Sequence, residues 1–137
     1  MYLTIIQKSI DYIEENLKTE ISAKELSGMA GFSVFHYYRL FQNAVGMPIM
    51  QYITRRRLLN ALYEMQSGEK MVEIALEYGF ETQAGFYKAC VREFGYTPTE
   101  FLNMSNKKKP YRINLLEEEH IMVSHKRIKE VLKYWEL

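Results

Sequence analysis

The sequence has little of what defines secreted, fibrous or membrane proteins. One cysteine, Cys90, in 137 residues excludes an internal disulfide, and three prolines and seven glycines exclude collagen-like or proline-rich order. No apolar run approaches the roughly 20 residues that a membrane-spanning helix needs. Charged residues at positions 8–15 make the N-terminus too polar for a signal peptide. We therefore expect a cytoplasmic protein without a membrane partner, of one domain or one domain plus the start of a second.

Motifs of the common catalytic and cofactor sites are missing as well. None of the histidines, His36, His120 and His125, has a second ligand pair at a metal-binding spacing. A glycine-rich phosphate loop and a nucleophile elbow are absent. We expect a protein that is not an enzyme and needs neither metal nor cofactor, with Cys90 as a core residue on an apolar helix face.

The charges do not form a broad basic surface. Net charge is +1, and residues 1–102 hold ten Lys and Arg against twelve Asp and Glu, whereas residues 103–137 hold eight against five. The domain-wide basic footprint of many nucleic-acid-binding proteins is therefore missing. Any polyanion-binding surface in residues 1–102 must come from local segregation of charge.

Helical periodicity and stop signals divide the chain into short helices. Apolar residues recur every three or four positions over residues 3–17. Beyond them, capping residues and glycines delimit three further helices. These residues are Ser22, Gly31, Ser33, Gly46, Pro48 and Gly68.

The second half of this pattern repeats the first. Gly79-Phe80 matches Gly31-Phe32 at a spacing of 48. At a spacing of 49, Tyr87-Lys88 matches Tyr38-Arg39. Each copy is a short helix, a glycine turn and a longer helix, which is the helix-turn-helix unit, although one such unit is also an ordinary way to pack small helical domains. Two copies are too few for a solenoid.

A connecting helix, residues 48–66, joins the two copies. At about 1.5 Å per residue, a helix of roughly 17 residues spans roughly 25 Å. The second helices of the two copies, 33–45 and 82–94, could then lie near one turn of B-DNA apart, about 34 Å. This geometry would let one chain contact two adjacent major grooves and bind an asymmetric site in double-stranded DNA.

Five motifs carry a family resemblance. They are Tyr52-Ile53-x-x-x-Arg57-Leu58-x-x-Ala61, Ile74-Ala75-x-x-Tyr78-Gly79-Phe80, Phe86-Tyr87-Lys88, Phe94-Gly95-Tyr96-Thr97-Pro98 and Glu100-Phe101. In order and spacing they resemble the DNA-binding domain of the AraC/XylS family of bacterial transcription regulators, over residues 5–102. The resemblance implies about seven helices in an all-α fold and control of transcription, with RNA polymerase as a partner and an unidentified effector. It divides residues 1–104 into a subdomain at 1–48, the connecting helix at 48–66 and a subdomain at 67–104.

The outward face of helix 33–45 supplies the first expected DNA contacts. Arg39 could bind a guanine edge or a phosphate. Phe35 and Tyr38 could meet thymine methyls and sugars, or could instead be extra core or a partner patch. The resemblance places base contacts at Phe35, Tyr38 and Arg39.

Helix 82–94 supplies the second set. Gln83 could read adenine, Lys88 could bind phosphate or guanine, and Thr82 is expected to cap the helix beside the DNA backbone. Two residues depart from the family pattern: Gly85 inside the helix, and Cys90 where the family usually has phenylalanine. Gly85 could permit close approach of the backbone to DNA, or could loosen the helix.

Arg55-Arg56-Arg57 is the densest cation run in residues 1–102. At about 100° per residue its side chains fan around a helix, so they cannot all touch one DNA strand. We expect one or two to contact phosphate, with a solvated face as the alternative for Arg55, and Arg57 to be a structural ion-pair partner. The expected DNA-contacting residues are therefore Phe35, Tyr38, Arg39, Gln42, Arg55, Thr82, Gln83, Ala84, Tyr87, Lys88 and Arg92.

Residues 105–137 lie outside the resemblance. A polar, basic linker leads into the alternating Tyr111, Ile113 and Leu115, which predict a short hairpin with residues 121–123. Ser124 can cap a final amphipathic helix, whose apolar side could fold back on the first domain, pair with another chain, or open a second domain. We favour the last.

Two other functions fit the same sequence. A protein-interaction module that has lost DNA binding would explain the acidic balance of residues 1–102 and the outward Phe35 and Tyr38. A regulatory arm of a larger effector-binding or catalytic protein would explain residues 105–137.

Overall fold

The computed structural model describes residues 2–104 and 109–116, and the regular secondary structure in these ranges is helical, which confirms the predicted all-α fold. No helix within these ranges is both long enough and apolar enough to cross a bilayer. The described helices are α1 (Tyr2–Glu15), α2 (Ala23–Ala30), α3 (Val34–Val45), α4 (Ile49–Glu64), α5 (Met71–Glu77), α6 (Gln83–Phe94) and α7 (Pro98–Leu102), with a 3-10 turn, Met65–Ser67, after α4.

Hydroxyl caps and glycine stops set the ends of α3 and α6. The hydroxyls of Ser33 and Thr82 accept hydrogen bonds from backbone N–H groups three residues later, at 3.2 and 2.9 Å. Gly46 and Gly95 end the helices in the left-handed conformation, with φ of 92° and 79°. The predicted limits of both helices are confirmed because they depend on these local signals.

Helix α4 lies inside the apolar core and is shared by both units. Its buried residues are Ile49, Tyr52, Ile53, Arg56, Leu58, Leu59, Ala61 and Leu62. The ring of Phe41 on α3 packs edge-on against Tyr52, at 5.4 Å between centroids. At its 16 residues, α4 is roughly 24 Å long. The predicted connector is therefore a core element to which the flanking helices attach.

Residues 109–116 pack against α1. The Gln7 side chain holds this segment by its backbone: Nε2 donates to the carbonyl of Ile113 at 3.1 Å, and Oε1 accepts from the N–H of Leu115 at 2.7 Å. The side chains of Ile113 and Leu115 are buried in the core. The segment thus belongs to the packed domain.

This packing corrects the hairpin predicted from residues 111–115. The alternation of exposed Tyr111 with buried Ile113 and Leu115 is real, but these residues are irregular and form no strand. The Gln7 amide supplies backbone hydrogen bonds that a partner strand would otherwise supply. The proposed partner strand, the helix from Ser124 and most of the linker lie outside the described residues.

Candidate nucleic-acid interface

The outer face of α3 exposes the aromatic and basic residues assigned to it. Phe35 is 74% exposed, and Tyr38, Arg39 and Gln42 are exposed beside it. The Arg39 guanidinium lies over the Phe35 ring, 5.8 Å from its centroid, and this contact orients both side chains. Leaving a phenylalanine in water forgoes about 1.5–3 kcal/mol of burial energy. The ring is therefore a ready contact for a partner.

The outer face of α6 begins with a polar side chain and carries cations in its middle and in its last turn. Gln83, Ala84, Tyr87 and Lys88 are all exposed, and the Arg92 side chain is 63% exposed. The opposite stripe of the helix is buried against α4 and α5. The division of α6 into inner and outer faces by helical spacing is confirmed.

The two helices present a similar pair of side chains at the same register. Tyr38-Arg39 on α3 and Tyr87-Lys88 on α6 stand at the same distance from the capping residues Ser33 and Thr82. A tyrosine followed by a cation gives each helix a hydrogen-bonding ring beside a positive charge. The internal duplication therefore includes exposed residues as well as core residues.

Thr82 uses its hydroxyl to cap α6. Its Oγ1 accepts from the N–H of Gly85, and a Cβ built on Gly85 would lie 3.2 Å from that oxygen, closer than ordinary contact. The same cap forms over Glu25, His36 and Glu100, which all carry side chains, so the cap itself does not require a glycine at position 85.

Arg55 is not on the exposed surface, contrary to expectation. Its side chain is 13% exposed, and Nη1 donates to the Glu93 carbonyl at 2.9 Å and to the Glu93 carboxylate at 3.2 Å. The guanidinium also lies 4.8 Å from the centroid of the Phe94 ring. The structure supports neither a phosphate contact nor a solvated position, because α6 covers this side of α4.

The other two arginines of the run also point inward. Arg56 forms a two-pronged ion pair with Glu14 of α1, and the side chains are 7% and 8% exposed. Arg57 donates to the backbone carbonyls of Leu17 and Thr19 at 2.9 and 2.7 Å. Arg57 is structural, as expected, but its partners are carbonyls beyond the end of α1, and the buried ion pair belongs to Arg56.

Glu93 was not among the expected site residues, yet it is where α4 and α6 meet. Its carboxylate accepts from Gln51 Nε2 and from Arg92 Nε, each at 3.1 Å, as well as from Arg55. Burial raises the pKa of Glu93, but the hydrogen bonds from Gln51, Arg92 and Arg55 outweigh burial and leave the pKa below its usual value. Gln51 and Arg55 are four residues apart, so the sequence predicts that they share a face of α4. Nothing in the sequence near either residue predicts that this face meets Glu93.

One acidic cluster lies away from these helices. Carboxylate oxygens of Glu64, Glu69 and Glu77 lie within 4.8 Å of one another. The Lys18 ammonium stands 3.5 Å from Glu64 and 3.3 Å from Glu77, so a cation of the chain already balances the cluster. We assign no metal to it.

Comparison with known proteins places these features in a family. A family model described as a helix-turn-helix domain matches residues 26–104. The transcriptional activator AarP of Providencia stuartii is 34% identical over 97 residues, which are 70% of this chain and 72% of AarP. The transcriptional regulator YbfP of Bacillus subtilis is 36% identical over 98 residues, but the chain spans only 33% of its length.

Solved structures share the fold. A Chromobacterium violaceum regulator with an AraC-type DNA-binding domain superposes with a TM-score of 0.68 at 24% identity, covering 72% of this chain and 89% of that one. The DNA-binding domain of AdpA, solved in complex with a target DNA, gives a TM-score of 0.64 at 20% identity, covering 71% and 88%. Sequence, fold and repeat agree, and the chain belongs to the AraC-type family of helix-turn-helix transcription regulators.

Proposed function

We propose that the chain binds double-stranded DNA sequence-specifically and regulates transcription by inserting α3 and α6 into adjacent major grooves. The observation that carries this proposal is the pair of equally long, hydroxyl-capped helices that expose Tyr38-Arg39 and Tyr87-Lys88 at the same register. Recognition helices contact bases through their N-terminal residues, and these pairs lie in the N-terminal halves. The AdpA domain, which shares the fold, is known bound to DNA, and this supports the proposal.

On α3, each exposed side chain suits a different part of the groove. Arg39 can donate two hydrogen bonds to guanine O6 and N7, the commonest specific contact. Phe35 offers an apolar surface to thymine methyls, while Tyr38 and Gln42 can bond to the sugar-phosphate backbone or a base edge. Because Phe35 and Arg39 already touch, they would enter the groove as one unit.

On α6, the contacts would differ in kind. Gln83 can read adenine through N6 and N7, and Ala84 can contact a thymine methyl. Lys88 and Arg92 suit phosphates, with guanine open to Lys88, and Tyr87 suits the backbone. Thr82 lies beside the backbone while it caps the helix. The half-sites would therefore differ in sequence, and one chain would bind an asymmetric site.

The wider cellular role follows from this proposal. A regulator of DNA in bacteria works in the cytoplasm, where its operator is. RNA polymerase and an effector ligand are partners that the family resemblance implies. The chain spans a third of YbfP, which leaves room in such relatives for a second domain.

A binding titration tests the proposal. The full chain would select its site from duplexes with a randomised core, and fluorescence anisotropy would then compare this site with a scrambled duplex at several salt concentrations. Arg39→Ala should cost about 1–3 kcal/mol on the selected site and little on the scrambled one, whereas Lys88→Ala, if it binds phosphate, should weaken both and reduce the salt slope by about one.

Arg112→Ala is the matched control. Arg112 is a cation that lies outside α3 and α6 and pairs with Asp11 of α1, so both affinities should stay unchanged. Equal losses on both duplexes would make Arg39 a phosphate contact. Binding without salt dependence, or no binding to any duplex, would contradict the proposal and favour a protein-interaction module.

A further inference from the structure

A polar cluster fastens the C-terminal end of α6 to α4. Gln51 and Arg55, one turn apart on α4, both donate to the Glu93 carboxylate, at 3.1 and 3.2 Å. Arg55 also donates to the backbone carbonyl of Glu93 and lies over the ring of Phe94. Gln51 and Arg55 therefore contact a side chain, a backbone carbonyl and an aromatic ring in the last turn of α6.

The backbone contact is well placed electrostatically. The last four carbonyls of a helix have no partner within the helix, and the Glu93 carbonyl is one of them. Arg55 satisfies this carbonyl and brings a positive charge to the negative end of the helix dipole. With side chains only 13% and 9% exposed, Arg55 and Glu93 are shielded from the solvent that weakens surface ion pairs.

The internal repeat shows that only the second unit uses this device. At the spacing of 49, Cys90 of α6 corresponds to Phe41 of α3, and Glu93 corresponds to Ala44. Phe41 and Ala44 are buried, so α3 is held by apolar packing. In α6 the small thiol of Cys90 replaces the aromatic ring of Phe41. The carboxylate of Glu93 replaces the methyl group of Ala44.

The orientation of α6 on α4 matters for the groove geometry. A helix of 12 residues is roughly 18 Å long, so a tilt of about 10° at its C-terminal end moves its N-terminal end by about 3 Å. One base-pair step of DNA is about 3.4 Å. A small loosening at Glu93 would therefore move Gln83 and Ala84 by nearly one base pair.

We propose that Arg55 and Glu93 are positioning residues that set how far apart the two half-sites must lie. This inference rests on the proposed DNA-binding function. The cluster touches no base; it acts through α6, by fixing the angle at which the N-terminal end of that helix leaves α4. Breaking it should cost spacing specificity as well as affinity.

The test uses the full chain and duplexes of altered spacing. The site selected by the wild-type chain would be rebuilt with one base pair inserted or removed between the half-sites, which turns one half-site by about 35° relative to the other. We expect the wild-type chain to bind the altered duplexes at least about tenfold more weakly, the cost of a lost base contact. Arg55→Met and Glu93→Gln should bind the original site less tightly and lose most of this spacing penalty.

Two controls separate positioning from stability. Lys18→Met removes ion pairs to Glu64 and Glu77 that do not involve α6, and it should keep the wild-type penalty. Thermal unfolding identifies any variant that is not folded, and Glu93→Gln, which keeps the size of the side chain, decides the question if Arg55→Met does not fold. A folded variant that loses affinity equally on all spacings would overturn the positioning role. A wild-type chain that binds no duplex would instead reject DNA binding itself.

Discussion

The buried ion pair between Arg56 and Glu14 gives a quantitative prediction for stability. Both side chains are less than a tenth exposed, and among the described residues the other hydrogen-bond donor to the carboxylate is the Tyr52 hydroxyl, at 3.5 Å. Arg56→Met leaves the Glu14 charge buried with that single weak donor. Removing one partner of such a pair costs about 3–5 kcal/mol, a large share of the 5–15 kcal/mol that typically stabilises a domain.

A double variant tests whether the loss of stability comes from the unpaired charge. Arg56→Met combined with Glu14→Leu removes both charges and fills the space with apolar groups, which is often neutral or stabilising. We therefore expect the free energy of unfolding to fall by about 3 kcal/mol or more in Arg56→Met and to recover most of this loss in the double variant. Urea unfolding followed by circular dichroism measures both, and the slope with urea should stay constant.

An exposed pair serves as the control. Arg112 and Asp11 are 42% and 44% exposed, so Arg112→Met should change the free energy of unfolding by less than about 1 kcal/mol. If the double variant is as unstable as Arg56→Met, lost packing rather than an unpaired charge explains the effect, and the electrostatic reasoning is refuted.

Two more predictions concern the buried groups Gln7 and Cys90. Gln7→Leu leaves the Ile113 carbonyl and the Leu115 N–H without their partner, so the free energy of unfolding should fall by about 1–3 kcal/mol in urea titrations; an unchanged value would show that the 109–116 segment is not held by this amide. Burial raises the pKa of the Cys90 thiol from 9.0 to about 12, so between these values the folded chain keeps the thiol proton that the unfolded chain loses. The free energy of unfolding is therefore highest below pH 9 and falls as the pH rises toward 12. Urea midpoints measured over that range should decline more steeply in the wild-type chain than in Cys90→Ala, and equal slopes would contradict this.

The sequence predicted the features that depend on local chemistry. The hydroxyl caps and glycine stops of α3 and α6 are confirmed, because each is decided by residues within one helical turn. The outward position of Arg39 and Lys88 is also confirmed, since helical spacing alone separates an apolar stripe from the rest.

Features that depend on distant partners could not be predicted. Helical spacing predicts that the side chains of Arg55-Arg56-Arg57 point in three directions from α4, but it does not predict which helix packs on each side. Helix α6 covers the side on which Arg55 lies. Gln7 and Leu115 are 108 positions apart, and no sequence pattern in either segment predicts their hydrogen bond. Alternation in residues 111–115 therefore suggested a strand, although the inner face of that segment meets a helix.

The separation of α6 into two sides has a consequence for redesign. The side chains that hold the helix, including Phe86, Cys90 and Glu93, are different from those that meet solvent, such as Gln83, Ala84 and Lys88. Exchanging Gln83, Ala84 or Lys88 should change the free energy of unfolding by less than about 0.5 kcal/mol, so a library of new operator preferences can be built at these three positions.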